Sequence, residues 1–562
     1  MSAPGLKSFA TLRTVMTIAA CTSKTLDGSR WALTAVLLMA LMSSLEGCAL
    51  QPAGSQFPKK ISIALADPEK TAMGAEFTAA AAQHEGLSGY RILSVGVDGL
   101  VARIELANAA ESTLDLQYFI YRGDETGRLI TDALLRAADR GVRIRLLIDD
   151  GATMKGDEQV IALDAHPNIE IRIFNPFAYR GHSVVRRSLE FLLNKRLDYR
   201  MHNKLMVADN SVALIGGRNV GNQYFQIDPD SQFADDDLLA VGPIAVKLSA
   251  SFDEFWNSPL AVPAAALYRR QRSAEALEAR RAQAAQYAER HLQTLKSDGV
   301  DYSSRIAAGG PYTDLRSDKA PLVWASGVVV SDSPDKKKAE SDARGGRLMA
   351  RSVMKAALAA QFEVVMVNPY VIPSADELED LAILRTQNVA VRILTNSLVS
   401  TVDLAAEAGY DRYRMPLLKE GVKIYELRAL LGNTRGSGQT AAVSRYGNYS
   451  LHAKLFVFDR EKLFIGSMNF DERSKRLNTE IGLLLDSPEL SQQIMTRFER
   501  MVQPENAYAL QWREPASGRK GHIEWVTVEN GAAVSYTREP RRSIWQRIEF
   551  TLLSWLPITG EL

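Results

Sequence analysis

The strongest constraint on this 562-residue chain is a pattern that occurs twice. Met201 to Asn219 reads MHNKLMVADNSVALIGGRN and Leu451 to Asn469 reads LHAKLFVFDREKLFIGSMN, an offset of 250 residues. In each copy a histidine is followed by Lys two positions on, Asp seven on, Gly fourteen on and Asn seventeen on. The matched sets are His202, Lys204, Asp209, Gly216 and Asn219, and His452, Lys454, Asp459, Gly466 and Asn469. Five matches in register arise by accident at below about one start position in a million, so the chain carries an internal duplication.

The segments upstream repeat as well. STLDLQYFIY, a helical stretch from Thr126 to Arg140 and VRIRLLID precede the first copy; FEVVMVNPYVI, a helical stretch from Ala375 to Gln387 and VAVRILTNS precede the second. Apolar strand, helix, apolar strand is the grammar of βαβ units around a buried sheet. The expected fold is therefore α/β: two fused domains with mostly parallel mixed sheets, related by a pseudo-twofold axis, with a site at their interface. They are placed at 90–262 and 320–505, joined by a helical insert or linker over 263–319, with a C-terminal extension over 506–562. The Ala- and Arg-rich stretch from Ala264 to Lys296 reads as an exposed helix, and SDSPDKKKAESDARGG from Ser331 to Gly346 as a solvated loop.

Alternation along a strand puts His202 and Lys204 on one face and Leu205 and Val207 on or toward the other, and likewise His452 and Lys454. Asp209 and Asp459 fall where a hairpin turns, either serving the chemistry or holding the turn. Gly216 with Gly217, and Gly466 with Ser467, permit a phosphate or a facing strand to come close to the backbone. Asn219 and Asn469 add amide donors. A lone set of this kind is most simply a half-buried strand with a satisfied histidine; two sets in register, from a chain with only seven histidines, reverse that reading. Two imidazoles, two ammonium groups and two carboxamides meeting across a twofold make an anion pocket with a nucleophile and an acid, suited to a phosphodiester.

With these motifs the chain resembles the phospholipase D superfamily, marked by His-x-Lys-x4-Asp followed by Gly-Gly or Gly-Ser and Asn. GGRNVGNQYF, FWNSP at Phe255 to Pro259, NPYVIPS at Asn368 to Ser374 and LNTEIGLLLDSPEL are similar to its cardiolipin synthase C type branch, over about residues 90–562. The resemblance implies that one histidine attacks phosphorus and that the other protonates the leaving alkoxide and then deprotonates the incoming alcohol or water; His202 is taken as the nucleophile and His452 as the acid and base, an order the motifs leave open. It implies that Lys204, Lys454, Asn219 and Asn469 bind nonbridging oxygens, with no metal and no cofactor. It further implies acidic partners for the imidazoles: Glu480 in LNTEIG for one copy and, for the other, Asp235, with Asp236 and Asp237 as neighbours of the same type.

The N-terminus reads as an address. WALTAVLLMALM, twelve apolar residues from Trp31 to Met42, follows Lys24 and Arg30, is too short to span a bilayer and suits a secretory signal. Leu45-Glu46-Gly47-Cys48 resembles a bacterial lipobox, so residues 1–48 are expected to be a signal peptide that leaves a lipidated Cys48; Met16 offers a second start. The only other cysteine is Cys21, so neither a disulfide framework nor a Cys-rich metal site is available. Near the other end, Ser543 to Leu556 is flanked by Arg541 and Arg542 and carries Trp545, Phe550, Leu552, Leu553 and Trp555, as an interfacial helix would. A membrane-anchored envelope lipoprotein facing the periplasm is the expected location.

The expected function is a phosphatidyltransferase that makes cardiolipin from phosphatidylglycerol and a second phospholipid through a phosphohistidine. The alternative is a phospholipase D-type hydrolase. A nucleic-acid phosphodiesterase is disfavoured because the net charge is only +1, without the basic excess that phosphate-gripping proteins carry. Membrane phospholipids are thus the expected partners.

Overall fold

The computed structural model describes residues 52–151, 157–181, 183–228, 231–268, 272–294, 310–317, 319, 321–336, 348–429, 449–515, 521–540 and 544–554. The proposed signal segment with Cys48, part of the linker and the final residues, including Trp555, lie outside them.

Each half builds its sheet in the same spatial order. In the first half the order is Ala261–Pro263, Ile169–Phe174, Arg143–Asp149, Thr113–Tyr118, Lys204–Ala208, Val212–Gly216, Asp237–Val241 and Ser88–Leu93. In the second, Lys423–Leu427, Ala390–Asn396, Glu363–Val367, Leu455–Phe458, Lys462–Gly466, Ile481–Asp486 and Val323–Ser331 repeat it. Ser88–Leu93 pairs antiparallel with Val323–Ser331, with Tyr90 opposite Val323, so the halves fuse into one 18-stranded sheet. The C-terminal strands Ala507–Arg513, His522–Glu529 and Ala532–Tyr536 extend its far edge beyond Lys423–Leu427.

The sheet is mixed, and its parallel part is smaller than "mostly parallel" suggests. Parallel pairing in it is confined to the βαβ strands, Thr113–Tyr118 through Ile169–Phe174 and Glu363–Val367 through Lys423–Leu427. Everything added by a hairpin or an edge strand is antiparallel, because short connections reverse direction and only a crossover preserves it. The crossover helix Glu125–Asp139 shows how the sequence builds such a unit: Asp124 caps it by accepting from Gly127 N at 3.2 Å, worth about 1 kcal/mol, and Ile130, Ala133, Leu134 and Ala137 bury one face.

Between the halves lies a shared core. Leu205 and Ile215 of the first motif hairpin pack in the same cluster as Leu455 and Ile465 of the second, with Leu238 and Leu483 from the strands beside them. The motif residues therefore leave their strands at a seam that both halves close.

Two stretches differ from expectation. The helix Ala274–Thr294 is not free in solvent: Leu277, Arg280 and Ala284 are buried, and Arg128 stacks over the Tyr287 ring at 5.2 Å. Nor is the start of Ser331 to Gly346 a solvated loop. Lys336 is buried because Asp332 at 2.8 Å and the carbonyls of Ser474 and Asn478 neutralise and saturate its ammonium group. Residues 337–347 lie outside the described set.

Near the C-terminus, the helix Ile544–Ser554 seats Phe550 against Leu398 and Ala408, and Gln546 Nε2 donates to Leu398 O at 2.6 Å. Ile548 and Leu552 remain exposed. Among the described residues no helix is long and apolar enough to cross a membrane.

Candidate active site

Two short cross-half ladders deliver the histidines. Met201 bridges Thr479 in parallel, with His202 N donating to Thr479 O at 2.9 Å. In the other direction Tyr449–Leu451 pairs parallel with Gln232–Ala234, and His452 N donates to Ala234 O at 2.8 Å. Each histidine thereby enters beside an acid of the opposite half. His202 Nδ1 lies 2.9 and 3.0 Å from the two Glu480 carboxylate oxygens, and His452 Nδ1 lies 2.6 Å from Asp235 Oδ2. An ionised carboxylate can only accept, so His452 Nδ1 donates to Asp235, which is held ionised, and leaves Nε2 with the ring's free lone pair; His202 does the same when Glu480 is ionised.

Both lysines fold back onto this backbone: Lys204 Nζ donates to His202 O at 2.5 Å and Lys454 Nζ to His452 O. Lys454 Nζ also lies 2.9 Å from His452 Nδ1. Burial, reinforced by the two ammonium groups, pushes His202 well below its ordinary value and His452 down to about 3, so both rings are neutral near pH 7. Burial likewise lowers Lys204 strongly and Lys454 to about 8. The acids diverge. Burial raises Glu480 to about 7, whereas at Asp235 burial is outweighed by His452, Lys454 and Arg218, which hold it below the usual carboxylate range.

The walls are aromatic. Phe119 meets the His202 ring edge-on at 5.1 Å; Phe233 stacks on His452 at 5.0 Å and Tyr224 meets it edge-on at 5.2 Å. These low-dielectric surfaces strengthen every charge interaction inside.

The glycines serve the facing strand. A Cβ on Gly217 would stand 2.1 Å from Asp235 Oδ1, one on Gly216 2.4 Å from Asp236 O, and one on Gly466 2.5 Å from Ile481 O. Where the first half leaves room at Gly217, the second places Ser467, whose hydroxyl donates to Glu480 Oε2 at 2.5 Å. Of the three consecutive aspartates, Asp235 alone meets a histidine. Asp236 accepts from Ser94 Oγ at 2.6 Å and pairs with Arg497, and Asp237 pairs with Arg103 at 2.8 Å.

Two groups sit differently from the sequence-based placement. Asp209 and Asp459, candidates there for either the chemistry or the turn, have their carboxylates taken up by backbone N–H groups and not by the histidines. The Asp209 carboxylate accepts from the backbone of Glu111, Ser112 and Thr113 at 2.7–2.9 Å, and that of Asp459 from Gln361, Phe362 and Glu363 at 2.7–2.9 Å. Both residues open hairpin turns in the left-handed region, at φ 47° and 53°, so they hold the turn and stitch it to the neighbouring strand. Asn219 spends its amide locally: Oδ1 accepts from Ile120 N at 3.1 Å and Nδ2 donates to Tyr224 Oη at 3.0 Å. Its counterpart Asn469 keeps a buried Oδ1 with no hydrogen-bond partner among the described residues.

Three supporting residues escaped the sequence reading. Asp149 accepts from Met201 N at 2.8 Å, and at the equivalent place Asn396 clamps Leu451 through both N, at 2.8 Å, and O, at 2.9 Å. Asp332 grips the Glu480 backbone from both sides, donating its own N–H to Glu480 O at 3.0 Å and accepting from Glu480 N at 3.2 Å. Their one available signal was position, a polar residue ending an otherwise apolar strand, as in LLID and ILTN.

Comparison with known proteins finds the same duplication. The family described as "Cardiolipin synthase, PLD-like domain" matches residues 103–256 and again 353–502. Cardiolipin synthase C of Escherichia coli is 34% identical over 481 residues, 85% of this chain and 96% of that protein. The probable cardiolipin synthase YwiE of Bacillus subtilis is 22% identical over 74% of this chain and 66% of its own length. Among solved structures, phosphatidylserine synthase of Haemophilus influenzae overlays with TM-score 0.47 and 15% identity, over 77% of this chain and 92% of that one. Twice-matched motifs, twice-matched family ranges and near full-length similarity to a curated relative show that this chain belongs to the phospholipase D-like cardiolipin synthase family.

Proposed function

We propose that this enzyme joins phosphatidylglycerol to a second phospholipid to give cardiolipin, through a covalent phosphohistidine on His202. The observation that carries the reading is the crossed pairing, His202 with Glu480 and His452 with Asp235, which holds each ring by Nδ1 at the seam between the halves, where both lysine charges act on both rings.

In the first step His202 Nε2 attacks phosphorus and the bond from phosphorus to the leaving glycerol oxygen breaks. The alkoxide takes a proton from His452. For this His452 must be an imidazolium: burial, with the lysine charges behind it, keeps the ring neutral, and the entering phosphodiester anion opposes those charges while the ionised Asp235 stabilises the proton. In the second step a lipid hydroxyl gives its proton to His452 Nε2 and attacks phosphorus, and the bond to His202 breaks. Glu480, raised to about 7, carries less negative charge than Asp235, which supports His202 as nucleophile and His452 as acid and base. Lys204 and Lys454 offset the charge gathering on the nonbridging oxygens, which is largest in the five-coordinate transition state.

A lipidated Cys48 would hold the enzyme at an envelope membrane, where lipid alcohols are concentrated and water is scarce. The deciding experiment is lipid profiling of a cardiolipin-deficient bacterial strain expressing the chain, with trapping of phosphorus-labelled substrate on the protein by an alkaline denaturing quench, which leaves the acid-labile phosphohistidine bond intact. Cardiolipin together with label lost in His202→Ala supports the reading. Phosphatidic acid without cardiolipin, whichever lipid alcohol is supplied, overturns it in favour of the hydrolase.

A further inference from the structure

The helix Val184–Leu193, VVRRSLEFLL, leaves five aliphatic side chains partly open, none of them packed into a core cluster of the described residues. Val184, Val185, Leu189, Leu192 and Leu193 are all exposed, Val185 at 64% and Leu193 at 65%. At about 100° per residue these five side chains cover roughly half the helix circumference. A soluble surface rarely leaves five large aliphatic side chains together without a partner. The opposite face is firmly seated. Glu190 accepts from Ala178 N at 2.6 Å and Tyr179 N at 2.9 Å, Arg187 donates to Asp150 O, and its guanidinium covers the Phe177 ring at 4.4 Å. Asp150 adjoins Asp149, whose carboxylate holds Met201 N, so the helix is rigidly coupled to the loop that places His202.

Position and charge indicate what covers this face. The helix follows strand Ile169–Phe174 and so stands at the carboxyl edge of the parallel strands, the edge at which Asp149 and Asn396 clamp the residues preceding the histidines. In the other half, the helix Ile544–Ser554 packs over Leu398, just past the carboxyl end of Ala390–Asn396, and also exposes aliphatic side chains, Ile548 and Leu552. Each half thus carries an apolar helix face at its site-bearing edge. Arg186 and Lys195, both exposed, flank the first of these faces with positive charge. A helix of ten residues is too short to span a bilayer, but lying flat it can sink aliphatic side chains among acyl chains while its basic residues meet phosphates.

We infer that Val184, Val185, Leu189, Leu192 and Leu193 form a membrane-docking face that inserts into an anionic lipid surface and sets the active-site edge against it. The inference rests on the proposed phospholipid chemistry for its consequence in turnover, not for the docking itself. The test labels the full chain, with Cys21 and Cys48 replaced by Ser, at Leu189→Cys with an environment-sensitive fluorophore. Phe362→Cys serves as the control, since Phe362 is 74% exposed just before strand Glu363–Val367, at the opposite edge. On phosphatidylglycerol vesicles the probe at 189 should shift to the blue and be quenched by acyl-chain spin labels, while that at 362 should not. No shift at 189, an equal shift at both sites, or a lipid-independent shift that grows with protein concentration, which would mark a contact between copies, overturns the inference.

A second arm compares rates. Leu189→Asp with Leu193→Asp should depress turnover on vesicles about tenfold more than turnover on a short-chain phosphatidylglycerol dispersed below its micelle concentration. Equal loss on both overturns the docking role, because a damaged fold or site would act on either substrate. A wild-type chain inactive on every phospholipid would sink the proposed function while the probe still decides the docking.

Discussion

The carboxylate of Glu480 sits 2.9 Å from His202 Nδ1 although 278 residues separate the two in the chain. His452 finds its acid, Asp235, 217 residues back. Neither half is a complete site: each supplies a histidine and lysine to one side and the carboxylate that orients the other side's ring. The seam between the halves is therefore part of the chemistry, and the apolar cluster that closes it, Leu205 and Ile215 with Leu455 and Ile465, keeps both pairs in register.

Replacing either histidine removes a bond-forming or proton-carrying group. His202→Ala and His452→Ala are each expected to lower turnover by about three orders of magnitude or more, and the double variant to be little worse than either alone, because groups acting as a unit are not additive. Steady-state lipid assays on variants with wild-type circular dichroism check this. Near wild-type activity in either folded single variant would rule out the two-histidine mechanism.

The acids should differ in effect. Asp235→Asn takes away a full negative charge behind the ring that must become imidazolium, while Glu480→Gln replaces a carboxyl already raised to about 7. Asp235→Asn is expected to cost about tenfold more in kcat than Glu480→Gln. The reverse order, measured on the same lipid mixture, would exchange the roles assigned to the two histidines.

Alkaline pH should switch the enzyme off. Burial brings Lys454 down to about 8, so its ammonium is present below that pH and is lost above it, and with it goes charge needed at the phosphoryl oxygens. The profile of kcat/KM should bend downward near pH 8. Lys454→Arg should retain charge and move that limb upward even if its maximum is lower; an unmoved limb would assign it to another group.

Asp209 and Asp459 are expected to matter for stability. Each gathers three backbone N–H groups, so removing a carboxylate costs about 1–3 kcal/mol for each of those donors that is buried and little for those that water reaches. Asp209, fully buried, should cost more than Asp459, two of whose donors, Gln361 and Phe362, are exposed. Thermal melts of Asp209→Ala and Asp459→Ala check the order. Turnover per folded molecule should change less than about threefold, since backbone N–H groups and not the histidines take up both carboxylates.

Gly217→Ala tests the packing behind Asp235. A methyl group 2.1 Å from Oδ1 cannot be tolerated, so the acid must swing away from His452. Activity should fall with KM nearly unchanged, while Ala at Gly141, which has nothing within 4 Å but a left-handed φ of 100°, should lower stability and leave turnover per folded molecule as it was. Full activity in Gly217→Ala would mean that Asp235 does not orient the ring.

The duplication, the two His-Lys pairs and the hairpin turns at Asp209 and Asp459 were legible in the sequence because each depends on near neighbours: period-two alternation chooses a face, and a left-handed turn favours Asp or Asn. The same local logic favours Asp235 but does not exclude Asp236 or Asp237. That choice falls to the ladder between Gln232–Ala234 and Tyr449–Leu451, which sets Asp235 against His452 and sends its neighbours to Arg497 and Arg103. Lys336 reads as part of a charged loop until Asp332 and two carbonyls surround it, and Asp209 reads as a candidate for catalysis until three amides claim it. Such partners meet across a packed interface from distant parts of the chain. No spacing along a strand encodes them, because what selects them is which polar atoms are left facing one another once the apolar surfaces have closed.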